Sequence, residues 1–405
     1  MQPADKATGI PVHAVFTAFL KLGLTSFGGP IAHLGYFREE FVVRRKWLDE
    51  RVYADLVALS QFTPGPASSK VGIGIGLAKA GLPGAFAAWA GFTTPSVLAL
   101  LLFAYGVEMF AGALAGGWLH GLKVVAVAVV AQAVWGMAKN LCPDAPRFTL
   151  AVVAAGIAMA SPTSIGQIAA IFAGAIAGYA FLGGKQDDTH VDMAIPLGKT
   201  AGALSLTLFF VLLAGLPAAS AIYQNHTLSL FDSFYRSGSL VFGGGHVVLP
   251  LLQSEVVPPG WASNDAFLAG YGAAQAVPGP LFTFAAYLGA IMGPEPNGWQ
   301  GALICIAAIF LPAFLLTIGV LPFWDGLRRL SAVRSALTGV NAAVVGLLLA
   351  ALYTPVWTSA IKAPADFGLG LAAFALLVFW KLPPWLVVLL SALGGWALAR
   401  IGALP

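Results

Sequence analysis

The sequence predicts an all-α polytopic membrane protein with two inverted-topology repeats, broken or re-entrant helices, and a transmembrane helix that links the repeats. Of the 405 residues, 59% are hydrophobic and only 9% are charged, whereas a soluble domain carries about 25% charged residues. One pair of motifs occurs twice, and Lys and Arg are shared unequally between the corresponding loops. The net charge of +4 is scattered along loops, so we expect a lipid bilayer, and no nucleic acid, as a partner.

Hydrophobic segments long enough to cross a bilayer, which takes about 20 residues, occur in both halves of the chain. They are Gly84–Tyr105, Trp118–Met137, Ile165–Leu182, Thr200–Leu216, Trp299–Leu321, Ala336–Leu352 and Pro384–Leu398, with shorter ones at Phe148–Ala160 and Phe367–Trp380. The most polar stretch is Gly183–Asp192. We therefore predict a first repeat over residues 1–183, a linker with an extra transmembrane helix over 184–224, and a second repeat over 225–405.

The two halves align with each other. "FLKLGLTSFGG" (Phe19–Gly29) matches "FYRSGSLVFGG" (Phe234–Gly244) without gaps, so that Lys21 falls opposite Arg236. After one deletion, "QFTPGP" matches "QAVPGP", and "TTPSVL" then matches "FLPAFL". Internal duplication of this kind is common in secondary transporters.

The distribution of basic residues indicates that the second copy is inverted. The loop "YFREEFVVRRKWLDER" holds five Lys and Arg residues, and its counterpart "PLLQSEVVPPGWASND" holds none. Further on the bias reverses, because "GVEMFAGALAGG" has no Lys or Arg and "WDGLRRLSAVR" has three Arg. By the positive-inside rule, equivalent loops then lie on opposite sides of the membrane.

The same rule constrains the segments that contain the helix breakers. The loop before residues 52–80 is predicted inside and the loop near Glu108 outside, and Gly84–Tyr105 already supplies the one crossing needed. Residues 52–80 should therefore form a re-entrant hairpin with PGP near the midplane, and Phe231–Val256 should form another. This gives 9 crossings; treating both elements as full spans gives 13 and remains the alternative.

Helix breaks inside the membrane predict a site for a small anion. Pro66 suits the first position of a helix, so the free N–H groups of the next residues should point at the break with the positive end of the helix dipole. Glycines there would let an anion approach the backbone, and hydroxyl and basic side chains would add donors. The candidate substrate-binding residues are Lys21, Ser26, Gly28, Gly29, Thr63, Gly65, Ser68, Ser69, Lys70, Arg236, Gly243, Gly244, Gly245, His246, Gln275 and Gly279.

Several of these residues have a plain structural alternative. Lys21 and Arg236 can extend to the membrane interface, His246 can be a packed histidine, and Gln275 can cap broken backbone. Cys142 and Cys305 lack the CxxC spacing of a metal or redox site. We therefore expect no metal and no cofactor.

The duplicated "SFGGP…TPGP" and "VFGGGH…VPGP" pattern resembles the chromate ion transporter (CHR) family, in particular its long form with two homologous domains of opposite orientation. The resemblance covers essentially the whole chain. It implies potential-driven export of chromate from the bacterial cytoplasm across the inner membrane, with sulfate as a competitor. Alternating access around one midplane site would fit such a carrier, and a homodimer is among the assemblies expected.

Three other classes of function remain open at this stage. A sulfate permease or an organic-anion carrier would share the anion site, and a passive channel would share the helix breaks. A membrane-embedded enzyme is disfavoured, because the sequence has no HExxH, no GxSxG and no paired aspartates in its hydrophobic runs.

Overall fold

In the part of the chain that the structure describes, the fold is an assembly of helices joined by short loops. A computed structural model describes residues 10–110, 117–183, 197–328 and 330–401, and this part of the chain contains no β-strand. The predicted polar boundary after Gly183 lies largely outside these residues, as do residues 111–116. The assignment of residues 1–183, 184–224 and 225–405 to domains stays a prediction.

The elements follow one another in the same order in each half. The first half contains α1 (Val12–Thr25), α2 (Gly29–Arg38) with a π-helical extension (Glu39–Arg44), α3 (Glu50–Phe62), α4 (Ala67–Phe110), α5 (Gly117–Leu141), α6 (Ala145–Ala160) and α7 (Ser164–Phe181). The linking helix is α8 (Lys199–Tyr223). The second half contains α9 (His226–Leu240), α10 (Val248–Val256), α11 (Asn264–Ala274), α12 (Phe284–Ile291), α13 (Gly298–Val320), α14 (Trp324–Leu327), α15 (Ser331–Ala351), α16 (Thr358–Ala360), α17 (Pro364–Val378) and α18 (Pro384–Arg400).

The composition of the helices confirms a polytopic membrane protein. Among the described residues, 6 helices are long and apolar enough to span a bilayer: Ala67–Val107, Gly117–Leu141, Ser164–Phe181, Lys199–Tyr223, Gly298–Leu327 and Ser331–Ala360. The linking helix α8 is almost unburied and exposes Leu204, Phe210 and Val211. Such an apolar surface suits lipid and not water.

Helices are interrupted at both FGG segments and both PGP segments, as predicted. The first break separates α1 from α2 and the second separates α3 from α4; the corresponding breaks separate α9 from α10 and α11 from α12. The 13 residues of α3 extend about 20 Å at 1.5 Å per residue, which is less than the ~30 Å hydrocarbon core. The long helix α4 is itself two helices, because Ala80 and Gly81 have non-helical dihedral angles.

The two halves interlock through equivalent helices. Helix α5 packs against α17 and α18 of the second half, and its counterpart α15 packs against α6 and α7 of the first half. Glycines permit the close approach: Gly121 lies against the carbonyl of Ser391, and Gly339 lies against Gly174. Small residues at such contacts are typical of helix packing in membranes.

Two backbone hydrogen bonds join the breaks of opposite repeats. The N–H of Gly65 donates to the carbonyl of Val241 at 2.7 Å, and the N–H of Gly279 donates to the carbonyl of Ser26 at 2.8 Å. Gly65 aligns with Gly279 and Ser26 aligns with Val241. The two bonds are therefore one contact made twice, once in each direction between the repeats.

Each repeat also joins its first helix to its second by an ion pair. Lys21 lies 3.5 Å from Glu40, and Arg236 forms two hydrogen bonds with Glu255, at 2.8 and 2.9 Å. Arg236 additionally contacts Asp232 at 3.0 Å. Two of the predicted site cations, Lys21 and Arg236, are thus held by carboxylates, and the alignment that pairs them also pairs Glu40 with Glu255.

The Glu40 carboxylate forms ion pairs with three basic side chains. Glu40 lies in the Arg-rich segment outside the candidate spans. Its carboxylate accepts hydrogen bonds from Arg44 at 2.7 Å and Arg45 at 2.8 Å, in addition to the contact with Lys21. Burial alone would raise the pKa of the Glu40 carboxyl, but the hydrogen bond from Arg45 and the charges of Lys21, Arg45 and Arg44 outweigh burial and hold that pKa below its usual value. Glu40 is therefore ionised at neutral pH.

We predict that Gly279→Ala reduces the yield and melting temperature of folded protein. Gly279 has φ +100°, and an added Cβ would lie 2.2 Å from Ser96 Oγ. The free energy of unfolding should therefore fall by ~1–3 kcal/mol or more. Thermal unfolding in detergent measures it. Gly293→Ala is the matched control, because no atom lies within 4 Å of an added Cβ there. Equal melting temperatures for the two variants would contradict the packing described.

We predict that Glu40→Gln lowers stability at neutral pH by about 1–3 kcal/mol, because a charge-assisted acceptor is lost. Since the pKa of Glu40 is lowered by folding, its contribution is present above the unfolded pKa and disappears as the pH falls through the folded pKa. The difference between wild type and variant should therefore vanish in acid. Melting curves between neutral and acidic pH test this, with the exposed neighbour Glu39→Gln as control; a difference that persists in acid would rule out the ionic explanation.

Candidate functional site

Three helix starts converge on one internal cavity of about 170 Å³. They are the start of α2, the short turn Gly245–Val247 that leads into α10, and the turn Leu281–Thr283 that leads into α12. Helices α5, α11 and α18 complete the wall. The lining residues are Gly28, Gly29, Pro30, Val129, Gln132, Ala133, His246, Ala274, Gln275, Val277, Gly279, Leu281 and Pro384.

The lining suits a negatively charged ligand. None of the lining residues is acidic, and helix starts carry free N–H groups and a partial positive charge. At the start of α2, Gly28 has φ +100° and Gly29 has φ +78°, a backbone conformation that glycine adopts without strain. A single water needs only ~10–15 Å³ of such a cavity, so a small polyatomic ion fits.

Three polar side chains face this cavity with hydrogen-bonding capacity to spare. Tyr271 holds the ring of His246 through a 2.8 Å hydrogen bond to Nδ1, and Nε2 has no partner in the described part of the chain. The amide nitrogens of Gln132 and Gln275 reach only carbonyl oxygens at 3.5 and 3.4 Å, which are long, weak contacts. Both amide groups can therefore donate to a ligand, and His246 Nε2 donates in the tautomer in which the Tyr271 hydroxyl donates to Nδ1.

The structure brings five of the predicted residues to the cavity: Gly28, Gly29, His246, Gln275 and Gly279. Gln132 was not predicted. It is the only amide side chain in the hydrophobic segment Trp118–Met137, and an isolated polar residue inside a span is a signal that could have revealed it. The neighbours Gly243, Gly244 and Gly245 belong to the adjoining break but do not line the cavity.

Two predicted site glycines also hold the breaks of the two repeats together. The sequence analysis expects glycines at the breaks to let an anion approach the backbone, but the N–H groups of Gly65 and Gly279 are engaged in the hydrogen bonds to Val241 and Ser26. They hold the breaks together. A ligand must use the remaining donors.

Other predicted residues form a polar layer behind the first break. Ser26, Ser68 and Ser69 are all buried, and Ser68 Oγ lies 3.3 Å from Nδ1 of the buried His33. Lys70 is fully buried, and Thr63 is one of its partners. Lys21 and Arg236 stay with Glu40 and Glu255, so the structure does not bring these two cations to the cavity.

A second, larger cavity of about 840 Å³ lies between the same two helices, α5 and α11. Its wall includes Lys123, which lies 3.1 Å from Asp265, and His120, whose Nε2 lies 2.7 Å from the Asp366 carboxylate. Between the two cavities the helices are in backbone contact, because a Cβ on Gly272 would lie 2.2 Å from the carbonyl oxygen of Leu122. This contact closes α5 against α11.

Known proteins resemble the chain over nearly its full length. A "Chromate transport protein" of Pseudomonas aeruginosa is 29% identical over 392 residues, 94% of this chain and 91% of that protein. Another from Cupriavidus metallidurans is 26% identical and covers 97% of both chains. A "Probable chromate transport protein" of Synechococcus elongatus is 25% identical over 93% of each chain. No solved structure matches.

The match to a family is likewise made twice along the chain. The family described as "Chromate transporter" matches residues 13–179 and again residues 228–396. These two stretches contain both FGG segments, both PGP segments and every residue that lines the smaller cavity. The chain belongs to the chromate transporter family.

Proposed function

We propose that this protein is a secondary transporter that exports chromate from the cytoplasm, with sulfate as a competitor. The observation that carries the proposal is the convergence of three helix starts and three polar side chains on one cavity without acidic residues. A tetrahedral dianion accepts hydrogen bonds on every side, and such a cavity supplies donors from several directions. The relatives named as chromate transport proteins support the choice of substrate.

Recognition at this site would depend on charge and shape. Gln132, Gln275 and His246 offer neutral donors, and the helix starts add a diffuse positive potential. Sulfate has the same charge and tetrahedral form as chromate, so the two should compete. A permease for sulfate or another small anion is the alternative substrate assignment within the same mechanism.

The direction of transport follows from the membrane potential. Moving one charge through 100 mV changes the free energy by ~2.3 kcal/mol, and a dianion gains about twice that when it leaves an inside-negative cell. Export therefore requires no cation taken from solution. Uptake of the same ion would require a coupled cation.

An asymmetry between equivalent helices supports alternating access. Helix α11 is closed on α5 at Gly272, which is buried. The aligned position in α3 is Ala58, and Ala58 is exposed, as are Ala54 and Gln61 on the same helix face. The protein would then be open beside α3 and closed beside α11, and exchange of these two arrangements would move the anion across.

The charge bias indicates which opening faces the cytoplasm. Helix α3 follows the Arg-rich loop, which the positive-inside rule places inside, whereas α11 follows the loop without Lys or Arg. We therefore propose that the repeats are inverted, that the opening beside α3 leads to the cytoplasm, and that the larger cavity beside Lys123 and Asp265 is the exit vestibule of a bacterial inner-membrane protein.

We predict that Gln275→Leu and Gln132→Leu each weaken chromate binding about tenfold or more, because each removes a donor worth ~1–3 kcal/mol in a buried site. Binding to purified protein and potential-driven flux in proteoliposomes measure the effect. Gln300→Leu is the matched control, since Gln300 is exposed on α13 outside the cavity. Cells that express the wild type should hold less chromate; more chromate in those cells would overturn export, and unchanged binding in both variants would overturn the site.

We predict that cysteines at the aligned positions Gln61 and Gln275 react with impermeant thiol reagents from opposite sides of the membrane. In a background without Cys142 and Cys305, both of which are buried, Gln61→Cys should react from the cytoplasm and Gln275→Cys from outside. Conditions that increase the labelling of Gln61→Cys should decrease the labelling of Gln275→Cys, and the reverse. Reaction of both from the same side would exclude inverted repeats.

A further inference from the structure

We infer that the first PGP break is a binding site for a monovalent cation and that the protein fills it with its own Lys70 ammonium group. Lys70 Nζ donates to the carbonyl of Ser60 at 2.6 Å, to Thr63 Oγ1 at 2.9 Å and to the carbonyl of Pro64 at 3.0 Å, and it also contacts the carbonyl of Thr63. All four oxygens belong to the last turn of α3 and the break that follows it. The side chain is 1% exposed.

The geometry of this oxygen cage selects a cation. Four acceptor oxygens face one point, and the C-terminal end of α3 adds a partial negative charge. In a bilayer, carbonyl groups freed by a break in a helix must find a partner. The ammonium group supplies three N–H donors without an acceptor, so it satisfies the cage as a dissolved ammonium or K⁺ ion would.

The second repeat shows what the same break looks like without a cation. Phe284 stands in the place of Lys70 and packs its ring against Tyr271 and Phe267. The carbonyl of Ala274, which aligns with that of Ser60, accepts a hydrogen bond from the N–H of Val277 at 3.4 Å. Ser96 Oγ donates to the carbonyl of Pro278. A cation in this position is thus a property of the first repeat alone.

No carboxylate neutralises the Lys70 ammonium in the described part of the chain. Its hydrogen-bond partners are all neutral oxygens. Four polar atoms on α2, on α4 and in the turn after α1 are buried without a hydrogen-bond partner in this part of the chain: Ser26 Oγ, His33 Nε2, Ser69 Oγ and Thr93 Oγ1. Lys21 and Arg236, in contrast, are both paired with glutamates. The unpaired charge of Lys70 can therefore balance a transported anion. This last step rests on the proposed function, whereas the cation site does not.

The experiment compares Lys70→Ala, which empties the cage, with Lys70→Met, which keeps it filled by a neutral chain. Melting temperature is measured without substrate in choline, Na⁺, K⁺ and NH₄⁺ salts, and flux is measured in the same salts. In choline both variants should melt below wild type and lose flux by about tenfold or more, the loss expected when buried charge-assisted hydrogen bonds are removed. K⁺ and NH₄⁺ should restore Lys70→Ala more than the smaller Na⁺ does, and should leave wild type and Lys70→Met unchanged.

Three outcomes would overturn the inference. Lys70→Ala could equal wild type in choline, its melting temperature could be indifferent to the cation, or Lys70→Met could respond to cations as Lys70→Ala does. Recovery of melting temperature without recovery of flux would retain the cation site and overturn the counter-ion role. Because melting is followed without chromate, a failure of the proposed substrate would not be mistaken for a failure of this site.

Discussion

The structure depends on one constraint: broken backbone inside a bilayer must be hydrogen-bonded by another part of the protein. Each PGP break meets this requirement in part in the opposite repeat, through Gly65 to Val241 and Gly279 to Ser26. The glycine N–H group at each break is thus satisfied by a carbonyl of the other repeat. The two repeats therefore depend on each other structurally, because each provides a carbonyl acceptor for the PGP break of the other.

The same constraint assigns different roles to the donors at the breaks. The two glycine amides that join the repeats are consumed, so the cavity relies on the starts of α2, α10 and α12 with Gln132, Gln275 and His246. Equivalent positions have also diverged. The first repeat surrounds its break with Lys70 and small hydroxyl residues, whereas the second fills the same space with an aromatic cluster around Phe284. One half supplies charge and the other supplies rigid packing.

Much of this fold can be predicted from the sequence, because composition determines the solvent and helix breakers locate the interruptions. Pairwise alignment even relates the glycines that later prove to be equivalent. The directions of the side chains could not be predicted from the sequence. Lys70 extends back to the end of α3, and Lys21 contacts Glu40. Gln132 was missed because it lies on α5, far along the chain from any break. Contacts between distant segments decide which polar groups share a cavity, and spacing along one chain does not encode them.

In the proposed alternating-access cycle, the two closures are unequal for a reason visible in a single pair of aligned residues. Helix α11 can lie directly on α5 because Gly272 has no side chain, and a Cβ there would approach the Leu122 carbonyl to 2.2 Å. The aligned Ala58 carries that Cβ, so α3 cannot approach its partner helix equally closely without displacement. Close backbone approach is a main source of stability for helix pairs in lipid. On the proposed mechanism we therefore expect the arrangement closed at α11 to be favoured in the absence of substrate, and closure beside α3 to draw on interactions with the bound anion.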